Sequence, residues 1–555
     1  RDPRNVLSLG MTRLSIIDLE NGAQPFKIDE NNLIIIFNGE IFNANEIREE
    51  LEIKGENFIS NNSDTEVILR LYKNYGFDFL DKLNGMFSFV IFDKRKRKLF
   101  IVRDRFGIKP LYYYASNNDF IFSSELKAIL KVIDKPSIDD QSFFHFSTLR
   151  YAPLEKTIYQ NINKLLPGHY LVLDVDKCSF EIKKWWSISF NINLGKSKKE
   201  WLEIVREQIF KSVKNWTTSD VNYGFSMSGG LDSTSLVAAN ANFSKNFNCY
   251  TLGFEEKIFD EWDERDLCRE MKNFYNINLI EYENNLDDIF NSFHDIIASI
   301  EEPYGGGLPS YILYKEISKN EKVAISGVGG DEIFGNYNRA FKLIQSMNLN
   351  NMNEYEAFEK IYLDLTYSFS HNNKLKYVAN SKNFTSTTEL FYEIYSKDKS
   401  LDIFNKVALL DFSTQLPDEF LNMTDKFSMT HSLEARTPFL DHELVETVFS
   451  IPTNLRFDLH SYKSILRESM SGLLPKKILD NKNKRGFRLP ISFWMRSQLR
   501  PLVEKYLGKK NIAKSGYLNP SFYDDYVYPF LQGDNNNIEV VWGFFIFHFW
   551  EKETY

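Results

Sequence analysis

The residues with the most evident chemical capacity are Ser228-Gly229-Gly230-Leu231-Asp232-Ser233, which follow an apolar run and precede a helix-like one. Small residues at such a junction let backbone N–H groups close on an anion, and the helix N-terminus adds positive potential. The Ser228 and Ser233 hydroxyls can donate to phosphate oxygens, and Asp232 can hold a magnesium ion that neutralises them. A phosphate or pyrophosphate ligand is therefore expected here. The loop lacks the Gly-Lys-Ser/Thr of a Walker loop and the GxGxxG of a dinucleotide fold, so kinase and dehydrogenase chemistry is disfavoured. Two further strand ends, Leu252-Gly253 and Ser326-Gly327, are expected on the same crevice and would receive adenine and ribose. Beyond the second, Gly329-Gly330-Asp331-Glu332 offers Asp331 as another magnesium ligand.

Such a crevice needs a parallel sheet. From about residue 195 the pattern supplies one, as a helix over 199–213 leads into strands at 223–227, 248–254, 278–282 and 323–326. Helices at 231–240 and 263–274 alternate with them, which predicts a doubly wound α/β sheet. Past residue 340 long helical stretches are expected, without a fixed repeat. Residues 1–190 read differently, with short alternating or β-branched runs at 33–37, 86–92, 98–102 and 111–114. Two helices, 45–54 and 63–75, interrupt them, and Ser63-Asp64-Thr65-Glu66 predicts an N-cap answered by Glu66. This half is predicted to be α+β with antiparallel pairing. The polar stretch 191–199 is the expected boundary, giving domains 1–190 and 191–555.

With 555 residues, more than one cored unit is required. Hydrophobic residues at 43% and charged residues at 26% are ordinary globular usage, which excludes collagenous and wholly disordered chains. Lys and Arg total 67 against 76 Asp and Glu, a net charge of −9, which removes the usual electrostatic basis for nucleic-acid binding. The three cysteines, Cys178, Cys249 and Cys268, form no CxxC pair, so neither a disulfide framework nor zinc is indicated, and buried free thiols in a reducing cytoplasm are expected. The strongly apolar run Val540–Trp550 is too short to span a bilayer, and the chain opens on no signal peptide.

These segments, in order, carry a signature: Arg13-Leu14-Ser15-Ile16, Asn38-Gly39-Glu40, Arg103 to Gly107, Ser228 to Ser233, Ser326 to Gly335, Leu433 to Asp441, and Lys463 to Arg467. Together they resemble glutamine-hydrolysing asparagine synthetases of the bacterial B type over nearly the whole chain. The resemblance implies an amino-terminal class II glutamine amidotransferase domain, a four-layer Ntn-hydrolase sandwich, followed by an adenylating ATP-pyrophosphatase synthetase domain. It implies that ammonia passes from the first to the second. Glutamine is then expected on Arg13, Leu14, Ser15, Ile16, Asn38, Gly39, Glu40 and Asp64. Arg13 would pair with its α-carboxylate and Asp64 with its α-ammonium, while Asn38 and the Gly39 amide form an oxyanion hole. ATP is expected on Ser226, Ser228, Gly229, Gly230, Asp232, Ser233, Leu252, Ser326 and Gly327, with Mg2+ on Asp232 and Asp331. Lys463 is expected to steady negative charge as an acyl-adenylate forms, and Arg103 to Gly107 to shape the domain interface. Glutamine, aspartate and ATP are the implied small-molecule partners, without nucleic acid or membrane, in a cytoplasmic enzyme expected to be a homodimer.

Two departures from the pattern matter. The family's nucleophile is an amino-terminal cysteine, and no cysteine here matches it. The simplest expectation is that further residues precede Arg1. As written the chain is expected not to hydrolyse glutamine, the alternative being an amino-terminal domain kept as scaffold. The acid that usually follows Ser-Gly is Val328, which cannot accept a proton. Glu332 or Glu434 could take that role. Otherwise the acceptor differs from aspartate, as in the related β-lactam synthetases or surface-polysaccharide amidotransferases.

Overall fold

The computed structural model describes residues 7–116, 119–254, 263–284, 286–363, 369–458, 461–481 and 491–554. Among the described residues nine strands precede the boundary stretch: β1 (Phe26–Ile28), β2 (Leu33–Ile41), β3 (Gly85–Asp93), β4 (Lys98–Arg103), β5 (Tyr112–Ala115), β6 (Phe120–Ser123), β7 (Ile162–Lys164), β8 (His169–Asp174) and β9 (Ser179–Lys184). They form a six-stranded sheet in the order β1-β2-β3-β4-β8-β9 and a three-stranded sheet in the order β6-β5-β7, antiparallel throughout. One face of the large sheet, with Ile35, Phe37, Phe87, Phe89 and Phe100, packs on helices α1 (Ala44–Ile53) and α2 (Asp64–Tyr75). Its other face, with Val90, Phe92, Leu99, Ile101 and Leu171, meets Phe120 and Phe122 of the small sheet.

The far side of the small sheet is covered by the short helix α3 (Leu126–Leu130) and by side chains of the second domain, where Trp550 meets Tyr159 edge to face. Helix, sheet, sheet and helix thus stack as an α+β sandwich whose last layer is shared with the next domain. The capping reading at Ser63 needs correction. Ser63 does precede α2, but makes no side-chain cap. Glu66 instead accepts from the N–H groups of Ile59 (2.9 Å) and Ser60 (2.8 Å) and pairs with Arg70 at 2.9 Å, which ties its buried carboxylate to the loop before α2 and not to the Ser63 amide.

Helix α4 (Asp140–Leu149) joins the apolar core around the carboxy-terminal helix. Past the polar stretch, Ser197 and Glu200 close a full capping box on α5 (Lys198–Trp216). Strands β10 (Tyr223–Ser226), β11 (Asn248–Phe254), β12 (Asn278–Asn284), β13 (Val323–Ile325) and β14 (Glu434–Arg436) then form a wholly parallel sheet in the order β12-β11-β10-β13-β14. Helices α6 (Leu231–Ala241) and α7 (Arg265–Tyr275) supply the crossovers among the first three strands. The sequence builds outward from β10 in both directions, so the order reverses between β10 and β13, and the carboxyl ends of those two strands open a crevice.

The region past residue 339 is helical as expected, but mostly in short helices broken by 3-10 and π segments. The apolar run 540–550 lies in the helix Ile538–Glu553 and is buried on every side, as a central core helix must be. Among the described residues no helix is long and apolar enough to cross a membrane. Cys249 and Cys268 are buried, as expected, while Cys178 is only half-buried in the β8–β9 turn.

Candidate functional site

The anion loop lies at the mouth between β10 and β13, where two consecutive features shape it. Ser226 ends β10, and Gly229 adopts φ +83°, a left-handed conformation in which a Cβ would stand 2.8 Å from the Glu264 carbonyl oxygen. The Ser233 hydroxyl accepts from the Ser228 N–H at 3.2 Å, and the Ser228 hydroxyl accepts from the Gly230 N–H at 3.3 Å. These bonds curl the loop around the start of α6 and leave both serine hydroxyls on one side of it. Opposite, the Ser326 N–H donates to the Arg436 carbonyl at 2.8 Å, and Gly327 approaches the Ser233 amide so closely that a Cβ would lie 3.1 Å away.

Lys463 closes the crevice from the carboxy-terminal helices. It caps the helix Ser464–Ser469 with φ 54°, is 3% exposed, and its ammonium contacts Asp232 and lies 2.9 Å from Asp331 Oδ1. Burial opposes its charge, but the two carboxylates win and hold its pKa above the ordinary lysine value. The Tyr462 hydroxyl donates to Asp331, and burial followed by that carboxylate pushes its phenol well above the usual range. Next to it, burial and then Asp331 push Glu332 up to about 7, with the Tyr337 hydroxyl donating to it at 2.5 Å. Of the predicted residues, Ser226, Ser228, Gly229, Gly230, Asp232, Ser233, Ser326, Gly327, Asp331 and Lys463 thus come from two strand ends, two loops and one helix start. Leu252 and Gly253 do not end their strand, because β11 continues to Phe254. The Leu252 side chain is 5% exposed in the apolar core, so only its backbone could face a nucleotide.

Among the described residues no group of three or more His, Cys, Asp or Glu side chains could hold a metal. Magnesium asks for less, since it keeps several waters and takes one or two carboxylates beside substrate phosphates. Asp232 and Asp331, flanking one ammonium at the anion loop, fit that donor set.

A second cleft opens in the amino-terminal domain, lined by Arg13, Leu14, Ile16, Asn38, Gly39, Glu40 and Asp64. Ser15 is half-buried and not among the lining residues. Arg13 is held by the carbonyls of Ile17 (2.5 Å) and Asp18 (3.1 Å), and a Cβ on Gly22 would strike its guanidinium. Gly39 is in mid-strand with φ +142°, where any Cβ would stand 2.0 Å from the Met86 carbonyl oxygen. Glu40 and Asp64 are buried side by side, and burial, then each other's presence, raises Glu40 well above the carboxylate range. Burial raises Asp64 also, against hydrogen bonds from Glu40 and the Ile41 N–H.

Sequence reasoning missed that the second domain reaches into this cleft. Met429 and Glu434 line it, and Gln24 braces it through the Phe37 amide at 2.6 Å. Glu434 and Arg436 stood in a recognised segment, but their partners Lys109 and Glu40 are hundreds of positions away and leave no local signal. Arg103 to Gly107 do shape an interface, as expected. Asp104 accepts from the N–H groups of Phe106, Ile108 and Lys109, each at 3.0 Å, and Phe106 packs edge-on against Phe412.

Two family profiles match the chain: Asparagine synthase over residues 204–552 and Glutamine amidotransferase domain over residues 3–186. A glutamine-hydrolysing asparagine synthetase 1 of Bacillus subtilis is 30% identical, over 98% of this chain and 89% of its own. A putative asparagine synthetase of Mycobacterium tuberculosis is 26% identical, covering 88% and 80%. Amidase chry2 of Gibberella zeae is also 26% identical, covering 92% and 85%. The solved structure of an allosteric regulatory enzyme of purine biosynthesis aligns over 48% of this chain and 63% of its own, at 15% identity and a TM-score of 0.24, too low to bear on the fold. With a profile spanning more than half its length and a full-length relative behind it, the chain belongs to the asparagine synthase family, with a glutamine amidotransferase domain ahead of the synthase domain.

Proposed function

We propose that this carbon–nitrogen ligase adenylates L-aspartate with ATP and then transfers ammonia to the β-aspartyl-AMP, giving asparagine, AMP and pyrophosphate. Glutamine bound in the amino-terminal cleft is the proposed nitrogen donor. The observation that carries the reading is the buried Lys463 ammonium against Asp232 and Asp331, at the mouth where the anion loop begins. In that place the Ser228 and Ser233 hydroxyls and the loop amides would hold the departing pyrophosphate, while Lys463 would stabilise charge developing at the α-phosphate. Asp232 and Asp331 would hold a magnesium ion, which neutralises phosphate charge when bound. In the other cleft, Arg13 would take the glutamine α-carboxylate, Glu40 and Asp64 its α-ammonium, and Asn38 with the Gly39 amide the oxyanion. The test is pyrophosphate release with Mg-ATP and ammonium, with and without L-aspartate, together with amino-acid analysis. Aspartate-dependent release with asparagine formed supports the reading, and release without asparagine refutes it.

One observation favours a second reading, in which a different carboxylate is adenylated. Val328 packs partly buried against the apolar core, where the family places an acid. Val328→Glu is expected to raise asparagine formation about tenfold if aspartate is the acceptor. An unchanged or lower rate, measured in the same assay, favours another acceptor.

A further inference from the structure

Arg436 touches both clefts. Its side chain is fully buried, and Nη2 lies 3.2 Å from Glu40 in the glutamine cleft while Nε donates to Glu434 at 2.9 Å. Nη1 donates to the carbonyls of Trp216 (3.0 Å) and Thr218 (2.6 Å), and the Phe42 ring lies 5.2 Å from the guanidinium carbon. Its main chain belongs to β14, in register with Ile325 of β13, and its carbonyl accepts the Ser326 N–H that begins the loop leading to Asp331. One residue therefore joins a carboxylate of the first cleft to the backbone of the second.

The two ends are mechanically linked because the guanidinium is planar and its donors are committed on three sides. Glu40 shares its burial with Asp64, so the charge it presents to Arg436 depends on what else occupies the cleft. An α-ammonium there would favour the charged form of both acids and so the Glu40–Arg436 attraction. The carbonyls of Trp216 and Thr218 fix Nη1 from behind, so the side chain that meets Glu40 and the backbone carbonyl that holds the Ser326 N–H belong to one anchored residue.

We propose that Arg436 is a positioning residue through which an amino acid bearing an α-ammonium in the amino-terminal cleft and a nucleotide in the β10–β13 crevice bias each other's binding. This rests on the proposed function, in which those ligands are glutamine and ATP.

Linkage requires the effect to be reciprocal. Titration calorimetry on the full chain would measure glutamine binding with and without saturating magnesium and α,β-methylene-ATP, and the analogue with and without glutamine. Both affinities are expected to change by one common factor, about fivefold or more. In Arg436→Lys, which keeps the charge but loses the fork, that factor is expected to fall close to unity. Should Arg436→Lys not fold, hydrogen exchange at the Ser326 amide of the unaltered protein decides, with a protection change on adding glutamine alone expected. Failure of either ligand to bind refutes the functional reading itself. Both binding with independent affinities, coupling that survives Arg436→Lys, or an indifferent Ser326 amide overturns the inference alone.

Discussion

Lys463 holds a left-handed backbone conformation at φ 54°, which a non-glycine residue adopts only where its surroundings impose it. Here that conformation aims a buried ammonium between two carboxylates from different loops. Lys463→Ala is expected to lower pyrophosphate release about 100- to 1,000-fold while Mg-ATP still binds by calorimetry, because charge stabilisation is lost and the anion loop remains. Lys463→Arg is expected not to rescue, since a guanidinium does not fit where a point charge sits between Asp232 and Asp331. Turnover retained in the alanine variant would remove Lys463 from the mechanism. At this scale the sequence was legible where chemistry is local. The placement of Ser228 to Ser233 at a strand-to-helix junction could be read because small residues there separate an apolar run from a helix-like one. Tyr462 and Arg436 could not, because their partners, Asp331 and Glu40, are set by the tertiary fold.

Elements were legible where burial alternates cleanly. Strand β2 alternates buried and half-buried residues through Phe37 and was read correctly there, but its continuation through Asn38 to Ile41 was hidden by a glycine that tolerates the close Met86 carbonyl. Strand β14 has three residues and no pattern of its own, so nothing but its pairing with β13 reveals it.

The helix His371–Tyr377 carries a feature that no pattern discloses. Lys374 is 1% exposed on it, with Nζ 2.6 Å from the Thr387 hydroxyl and 4.0 Å from the centre of the Phe144 ring. The groups facing it are the histidines His145 and His371, with Glu389 and Glu359 acting on the latter from farther off. Burial pulls Lys374 down to about 7. The unfolded chain keeps this proton up to about pH 10.4, so between about pH 7 and that value it binds a proton the folded protein lacks. The contribution of Lys374 to stability therefore rises with pH across that window and is least favourable below it. Lys374→Met is expected to raise the Tm relative to the unaltered protein at about pH 6, by the equivalent of a few kcal/mol, and to lose most of that advantage by about pH 9. Scanning calorimetry at the two pH values checks it, and an advantage that grows with pH would contradict the assignment.

The arrangement of the two domains was the least legible level, because it depends on charges that burial would forbid unless each met its partner. Lys109 follows the Arg103 to Gly107 segment and is 1% exposed, yet its ammonium lies 3.0 Å from Asp425 and 3.7 Å from Glu434 across the domain boundary. Burial opposes its charge, and Asp425 followed by Glu434 more than compensates, leaving its pKa above the ordinary value. A buried pair is a weak source of net stability but a strong constraint, since removing one partner strands the other in a dry interface. Lys109→Met is therefore expected to cost about 3–5 kcal/mol, read as a lowered Tm or as separate unfolding of the two domains. Adding Asp425→Asn to it is expected to recover much of the loss, because the stranded charge is then gone. If the double variant is as unstable as the sum of the single ones, the pair does not hold the domains together, and apolar contacts such as Phe106 on Phe412 must carry the interface instead.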